Sequence, residues 1–283
     1  MGPAVGAALL ALLGPGALAE TILPEPPEGY YWQMIWEDEF EGTALDDAKW
    51  SNFYYGDGHR RDGWWTADAV SLDGDGHLVM SCYEEDGEYY SGAIRTKDKF
   101  EHSFGFYTAS IQLQEQEGHW SAFWIYDPSV GNVDGSGQDG TEIDIMEKAS
   151  LDDWVHHALH WDGYGDDHQA VGHDATVPGV MDGFHEFSLW WTPDEYVFYV
   201  DGEETWRTSA GGVSQVAEYL KLTDEVGTWA GDIGNATLPD AWYVDYVRVW
   251  DLMPAAVPEP GCLALVAGPF AAVYACLMRR RRT

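Results

Sequence analysis

Three carboxylates stand within six residues of the segment GTEIDIMEKAS, namely Glu142, Asp144 and Glu147. When two carboxyl groups lie close together, the charge on one raises the pKa of the other, so the two can divide acid and base work. Such a pair cleaves glycosidic bonds, with one carboxyl group acting as acid and the other as nucleophile or base. The spacing therefore raises the question of whether these side chains share one surface.

No regular element would bring the first and last of these acids together. In a strand, an offset of five residues places two side chains on opposite faces, and in a helix it leaves them about 140° apart. Isoleucines at 143 and 145 alternate with the acids, as in a strand with one buried face, and Met146 then adds one residue. We predict a β-bulge at Ile145–Met146, which returns Glu147 to the face of the other two acids.

Two other interpretations of the acids stay open on spacing alone. A solvated acidic strand would need no chemistry, and a cluster of carboxylates can hold a cation. No histidine stands at ligand spacing within the motif, and three strand acids would be an unusual calcium site. The Asp/Gly-rich segments 73–77 and 134–142 do not match an EF-hand loop, and we interpret both as turns.

The elements that must position these acids are predicted to be strands of one all-β domain at 20–253. Short alternating runs are broken by Gly and Asp, and the pair Asp201-Gly202 predicts a hairpin after Tyr196–Val200. Further runs are FGFYTASIQLQ, FHEFSLWWT and AWYVDYVRVW. Two packed antiparallel sheets are the simplest architecture for such a chain. A helix is predicted only for SQVAEYL at 214–220.

Both ends are predicted to be targeting segments. Residues 1–19 contain AVGAALLALL, then GPG and ALA, the order of a secretory signal peptide. Residues 254–283 contain VPEP, an apolar stretch and four terminal arginines, which together resemble the PEP-CTERM sorting signal of Gram-negative bacteria. The resemblance implies export to the cell surface or medium, transient anchoring in the inner membrane, and a sorting protease as partner. An ordinary C-terminal anchor is the alternative.

The charge of the chain limits its partners. Of its 283 residues, 49 are Asp or Glu and 14 are Lys or Arg, which gives a formal net charge of −35. Such a surface repels polyphosphates, so we expect no nucleic-acid partner. We also expect a monomer. The globular part holds only Cys82, so no disulfide is expected there.

The motif EIDIME resembles the signature of glycoside hydrolase family 16 in its bulged form, which is typical of the laminarinase and agarase-like branches. Other segments resemble the family in the same order, at 36–50, 91–96, 118–127, 184–202 and 244–250. The resemblance implies a concanavalin-like jelly-roll sandwich with a concave substrate cleft. It implies Glu142 as nucleophile, Asp144 as its helper and Glu147 as general acid and base, with no cofactor required for catalysis.

The resemblance also gives the 15 Trp residues a role, because sugar rings stack on indole faces. It implies a substrate-binding set, any member of which can instead be structural: Trp120, Trp124, Trp229, Arg95, His160 and Asn52. A structural Ca²⁺ is implied as well, held by the carbonyls of Glu39 and Gly76 and by the carboxylate of Asp245. The alternative is that Asp245 only satisfies backbone donors.

We therefore expect a secreted, retaining endo-β-glycosidase that hydrolyses a β-1,3- or β-1,3-1,4-glucan by double displacement. The alternatives are a hydrolase of agarose, carrageenan or porphyran, a sugar-binding module on the same sandwich, and a structural surface protein. The acidic charge disfavours sulfated substrates, unless the fold gathers a local basic patch. The candidates for that patch are Arg60, Arg61, Arg95, Lys97 and Lys99.

Overall fold

Strands make up most of the regular structure of this chain. The structure is a computed structural model that describes residues 20–53 and 56–255. The predicted signal peptide and all but the first two residues of the predicted tail lie outside these residues. Within them, no helix has the length and apolar character needed to cross a membrane.

Nineteen strands lie in the described residues. The first ten are β1 (Tyr30–Asp38), β2 (Ser51–Asn52), β3 (His59–Arg60), β4 (Gly63–Trp65), β5 (Val70–Leu72), β6 (Leu78–Glu85), β7 (Glu88–Ser91), β8 (Ala93–Arg95), β9 (Glu101–His102) and β10 (Gly105–Gln112). The others are β11 (His119–Tyr126), β12 (Glu142–Lys148), β13 (Trp154–Trp161), β14 (Gln169–Thr176), β15 (Phe184–Trp191), β16 (Tyr196–Val200), β17 (Glu203–Thr208), β18 (Glu218–Val226) and β19 (Asp240–Pro254). Short 3₁₀ helices lie at Ala67–Ala69, Pro128–Gly131, Thr228–Ala230 and Ile233–Asn235.

The strands form two packed sheets, as predicted. Sheet one has the order β17-β16-β15-β10-β19-β6-β7-β4-β3, with β1 also paired to β19 and β5 to β6. Sheet two, which carries the three acids, has the order β14-β13-β12-β11-β18-β8-β2, with β9 also paired to β18. Among the described strands, only β4 and β7 pair in parallel.

One hydrophobic core joins the two sheets. Phe123 and Ile125 of β11 and Leu222 of β18 pack there with Val247 and Val249 of β19. Because side chains alternate along a strand, the residues between the core positions of β11, β12 and β18 face the outer surface of sheet two. That surface carries the candidate site.

The segment 214–220 differs from its sequence prediction, and the helix predicted there was wrong. Its last three residues begin strand β18, and the others are irregular. Glu218 and Tyr219 pair with β9, and Leu220 is fully buried in the core. Strand pairing and burial thus prevail over a weak local preference for helix.

A buried ionic network ties together the ends of three strands. His119 of β11 lies between Asp224 of β18, at 2.9 Å, and Asp240 of β19, at 3.1 Å. Burial alone would lower the pKa of His119, but the two carboxylates outweigh burial and raise the pKa to about 10. At neutral pH, the charged imidazolium therefore helps to hold β18 and β19 against β11.

We expect this network to make the stability of the protein fall at alkaline pH. A group whose pKa is raised by folding adds stability below its unfolded pKa of 6.5, and this stability is lost as the pH rises through the folded value of about 10. Between pH 7 and 10, the free energy of unfolding should fall more steeply than in a His119→Gln variant, by about 1.4 kcal/mol per pH unit. Denaturant titrations at several pH values measure both slopes, and equal slopes would contradict this prediction.

Candidate active site

The three acids share one face of sheet two because β12 contains a bulge. Met146 and Asp144 oppose consecutive residues of β11, so Ile145 is the extra residue. Against β13 the register shifts between Asp144 and Glu147. Both bulge residues are buried in the core, and Glu147 returns to the outer face with the other acids. The predicted bulge at Ile145–Met146 is confirmed.

A buried histidine stabilises the bulge. A bulge interrupts the ladder of backbone hydrogen bonds, and here the carbonyl of Ile145 accepts a hydrogen bond from His157 Nδ1 at 2.7 Å. The other ring nitrogen lies 2.9 Å from the hydroxyl of Thr205. Burial lowers the pKa of His157 to about 4, so the imidazole is neutral. His157 was missed in the sequence because its role depends on how β13 pairs with β12.

A cleft of about 810 Å³ lies over the three acids. Its lining combines aromatic rings with a few polar groups, a combination that suits sugar rings. Besides the acids, the side chains that line it include His59, Arg60, Arg61, Trp120, Trp124, Tyr126, His156, His160, Tyr164, His168, Thr223, Glu225 and Trp229.

Glu147 has the surroundings of a general acid. The indole Nε1 of Trp120 donates a hydrogen bond to its Oε1 at 3.2 Å. Burial, followed by the negative charges of Asp144 and Glu142, raises the pKa of Glu147 well above its usual value. A carboxyl group that keeps its proton near neutral pH can protonate a leaving oxygen.

Glu142 and Asp144 lie side by side at the start of β12. Glu142 accepts a hydrogen bond from the hydroxyl of Tyr164, which holds one of its carboxylate oxygens in place. Asp144 is 5% exposed, and burial, together with the charge of Glu142, raises its pKa well above the usual value. His160 Nε2 lies 3.4 Å from Asp144 Oδ2. A protonated Asp144 can donate a hydrogen bond to its neighbour and orient it.

A buried lysine, which was not predicted from the sequence, lies beneath the cleft. Lys221 of β18 pairs with Trp124 of β11, and its Nζ lies 3.2 Å from the centroid of an indole ring of Trp124. Burial lowers the pKa of Lys221 well below its usual value, against the attraction of Glu142 and Glu225. The position of Lys221 between Leu220 and Leu222 was the signal in the sequence that could have indicated a lysine on a strand with one buried face.

Two of the five candidates for a basic patch, Arg60 and Arg61, line the cleft. The guanidinium of Arg60 donates to Glu225 Oε1 at 2.8 and 2.9 Å, and Arg61 donates to Oε2 of the same carboxylate. Arg61 also lies over the ring of Trp120, 5.1 Å from its centroid. The other three patch candidates, Arg95, Lys97 and Lys99, do not line the cleft.

Four of the six predicted sugar-binding residues lie in the cleft. Trp120 and Trp124 are 2% and 6% exposed, so they form a tightly packed part of its lining. Trp229 is 46% exposed and meets Trp120 edge to face at 5.3 Å. His160 is the fourth.

Arg95 and Asn52 do not line the cleft. Arg95 pairs with Lys221 and so shares its face of the sheet, but its guanidinium packs over Phe53 and Tyr219. Asn52 pairs with Ile94, whose side chain is buried in the core, so this pair belongs to the opposite face. Because β2 has only two residues, sequence pattern alone did not reveal its register.

Two groups of described side chains have the donor spacing of a cation site. Each group brings its ligand atoms within 4.8 Å of one another. One consists of Glu142, Asp144 and His160, and the other of Cys82, His119 and Asp224. In the first group, Glu142 and Asp144 belong to the candidate catalytic set, and His160 belongs to the predicted sugar-binding set. In the second, both imidazole nitrogens already face carboxylates.

Comparisons with known proteins agree that the chain is similar to glycoside hydrolases. The family model described as "Glycosyl hydrolases family 16" matches residues 57–248. The chain is 28% identical to glucan endo-1,3-beta-glucosidase A1 of Niallia circulans, over 80% of this chain and 39% of that protein. It is 29% identical to keratan-sulfate endo-1,4-beta-galactosidase of Sphingobacterium multivorum, over 78% of this chain and 56% of that protein. The chain thus spans less than two thirds of either relative.

Solved structures confirm the fold. The X-ray structure of endo-β-1,3-glucanase from Pyrococcus furiosus superposes with a TM-score of 0.67 at 27% identity, over 82% of this chain and all of that one. The predicted jelly-roll sandwich is therefore the fold of this chain.

Proposed function

Because the chain belongs to glycosyl hydrolase family 16, we propose that it is a retaining endo-β-glycosidase that hydrolyses a β-1,3- or β-1,3-1,4-glucan. One observation carries this proposal. The bulge in β12 places Glu142, Asp144 and Glu147 together in a cleft lined with tryptophans. Burial and nearby charge favour the protonated form of Glu147, whereas Glu142 accepts a hydrogen bond from a hydroxyl. The two glutamates thus have the different surroundings that the two roles require.

In the proposed reaction, Glu147 gives its proton to the glycosidic oxygen while Glu142 attacks the anomeric carbon. The leaving chain departs, and a glycosyl-enzyme ester remains on Glu142. Glu147, now ionised, takes a proton from a water molecule that attacks the same carbon and releases Glu142. Asp144 orients Glu142 through both steps. Two displacements at one carbon retain its configuration.

A second candidate substrate is a galactan with anionic groups. Arg60 and Arg61 bring positive charge to one part of the cleft, although Glu225 accepts hydrogen bonds from both. One relative is named for its action on keratan sulfate. The formal net charge of −35 works against anionic chains, because it slows their approach. We therefore place a neutral β-glucan first.

Reducing-end release from laminarin, lichenan, agarose, carrageenan and keratan sulfate tests this proposal. We expect the fastest release from laminarin or lichenan, with mixed oligosaccharides as early products of endo cleavage. Fastest release from a sulfated chain would favour the second candidate. Tight binding to one glycan without release from any would show a sugar-binding module and contradict the proposal.

We also propose that the chain is exported and anchored for a time by its C-terminal segment. The order of motifs at 1–19 and 254–283 supports this, and both segments lie almost wholly outside the described residues. Cell fractionation of the full chain, and of a chain without residues 254–283, tests it. Recovery of the full chain from the cytoplasm would contradict it.

We propose that a structural Ca²⁺ binds beside Asp245. This residue lies at an irregularity in the pairing of β10 with β19, and burial, followed by the charge of Glu39, raises its pKa. The carboxylate of Glu39 is bound by Arg248 at 2.6 and 2.7 Å, which leaves its carbonyl as the predicted ligand. Gly76, the third predicted ligand, lies in the bend at 73–77. The oxygen donors of this set suit Ca²⁺.

Removal of Ca²⁺ should then lower the melting temperature of the protein by several degrees, and added Ca²⁺ should restore it. Asp245→Asn should melt at the same temperature with and without EDTA, because the variant has lost the charged ligand. Scanning calorimetry measures all four temperatures. A natural protein that is insensitive to EDTA would contradict the calcium site.

A further inference from the structure

The candidate nucleophile has a hydrogen-bond donor that comes from a loop rather than from the sheet. Tyr164 lies between β13 and β14, and its hydroxyl donates to Glu142 Oε2. The residue as a whole is 57% exposed, but its hydroxyl end points into the cleft. Burial there, and then the charge of Glu142, raises the pKa of Tyr164. The phenol therefore stays protonated and can act only as a donor toward this carboxylate.

The base of this loop is fixed to the body of the domain. Asp162 is 4% exposed, and its Oδ1 accepts hydrogen bonds of 3.0 Å from the backbone N–H groups of residues 134 and 135. Gly163 donates its N–H to the carbonyl of Val130 at 2.7 Å. Asp162 and Gly163 have positive φ angles of 58° and 71°, so a tight turn precedes Tyr164. The reach of Tyr164 is thus set by an anchored turn.

The same loop also contacts the helper acid through two histidines. The ring of Tyr164 lies 5.7 Å from that of His168, whose Nε2 is 2.9 Å from His160 Nδ1. The two imidazoles stack at 5.1 Å, and His160 Nε2 lies 3.4 Å from Asp144 Oδ2. The loop therefore reaches Glu142 directly and Asp144 through His160.

We propose that Tyr164 is a positioning residue for Glu142, an inference that rests on the proposed function and deepens it. Its hydroxyl holds Oε2, so Oε1 is presented to the anomeric carbon without a search among side-chain rotamers. When the glycosyl ester is later cleaved, the same hydroxyl stabilises the carboxylate that leaves. Tyr164 contributes to the rate through Glu142, whereas Trp229, which is 46% exposed in the cleft, offers a ring face for a sugar.

The variant Tyr164→Phe tests this inference, because it keeps the ring and its contact with His168 and removes only the hydroxyl. Tyr31→Phe, at a 47% exposed tyrosine of β1 in the other sheet, is the matched control. We expect Tyr164→Phe to lower kcat/KM on laminarin about tenfold or more, mostly through kcat. The acidic limb of its pH profile should move to higher pH, because the ionised carboxylate has lost a donor. The control should match the natural protein in both respects.

The possible outcomes separate this inference from the function on which it rests. If the natural protein turns over and Tyr164→Phe keeps its rate and its acidic limb, the inference is overturned and the proposed function stands. A lower rate with an unmoved acidic limb and a lower melting temperature would show a purely structural role, which also overturns it. If the natural protein hydrolyses no glycan, both proposals fall.

Discussion

Replacing Glu142 with glutamine is expected to lower kcat on laminarin by at least about 10⁴-fold while glycan binding is retained. The amide has the shape of the carboxylate and can still accept the hydrogen bond from Tyr164, but it is too weak a nucleophile to form the glycosyl ester. The cleft and its tryptophans stay in place. Reducing-end release gives the rate, and isothermal titration with laminari-oligosaccharides gives the affinity.

Glu203→Gln is the matched control, since this glutamate is exposed on β17 of the other sheet. It should match the natural protein in both rate and affinity. If Glu142→Gln kept more than about 1% of the natural kcat, less than two powers of ten would be lost, and a nucleophilic role for this residue would be untenable.

Replacing Glu147 with glutamine is expected to have the second-largest effect, and its size should depend on the leaving group. On a polysaccharide, the departing sugar hydroxyl needs a proton, so kcat/KM should fall about 10²- to 10⁴-fold. An aryl β-glycoside with a nitrophenolate leaving group needs little help in the first step, so its kcat/KM should fall much less. Its second step still lacks a base, so a burst of nitrophenolate should precede slow turnover.

The pH profile gives an independent check on Glu147. Burial raises the pKa of this acid, which must be protonated for the first step, so activity of the natural protein should fall as the pH rises through that pKa. In Glu147→Gln this alkaline limb should disappear. Equal losses on both substrate types, with the alkaline limb retained, would assign the proton transfer to another residue.

The bulge was predictable because the sequence of β12 contains a conflict that only an extra residue resolves. Ile143, Ile145 and Met146 all need burial, and no regular alternation buries all three. The structure buries them and returns Glu147 to the outer face. Local pattern was also sufficient for the hairpin after Tyr196–Val200, which continues as β17.

The partners of the acids were not predictable, because they come from strands and loops distant in sequence. The hydroxyl of Tyr164 donates to Glu142, and the charge of Glu142 acts on Lys221. Neither interaction can be inferred without the order and register of β11, β12, β13 and β18. The predicted place of Asn52 in the cleft was wrong for the same reason. A two-residue strand has no alternation that would show which face of the sheet its side chains occupy. The pattern of residues along one strand indicates which face of the sheet each side chain occupies. Contacts between strands depend on how the strands pair, and the periodicity of one sequence does not reveal that pairing.

Trapping the glycosyl-enzyme tests most directly whether Glu142 is the nucleophile. A 2-deoxy-2-fluoro-β-glucoside that carries a good leaving group and slows the second step should inactivate the protein, and mass spectrometry of its peptides locates the sugar. We expect one sugar on the carboxylate of Glu142, and slower labelling after Tyr164→Phe. A label on another residue would contradict the role of Glu142. Turnover without inactivation, with inversion at the anomeric carbon, would contradict the double-displacement mechanism.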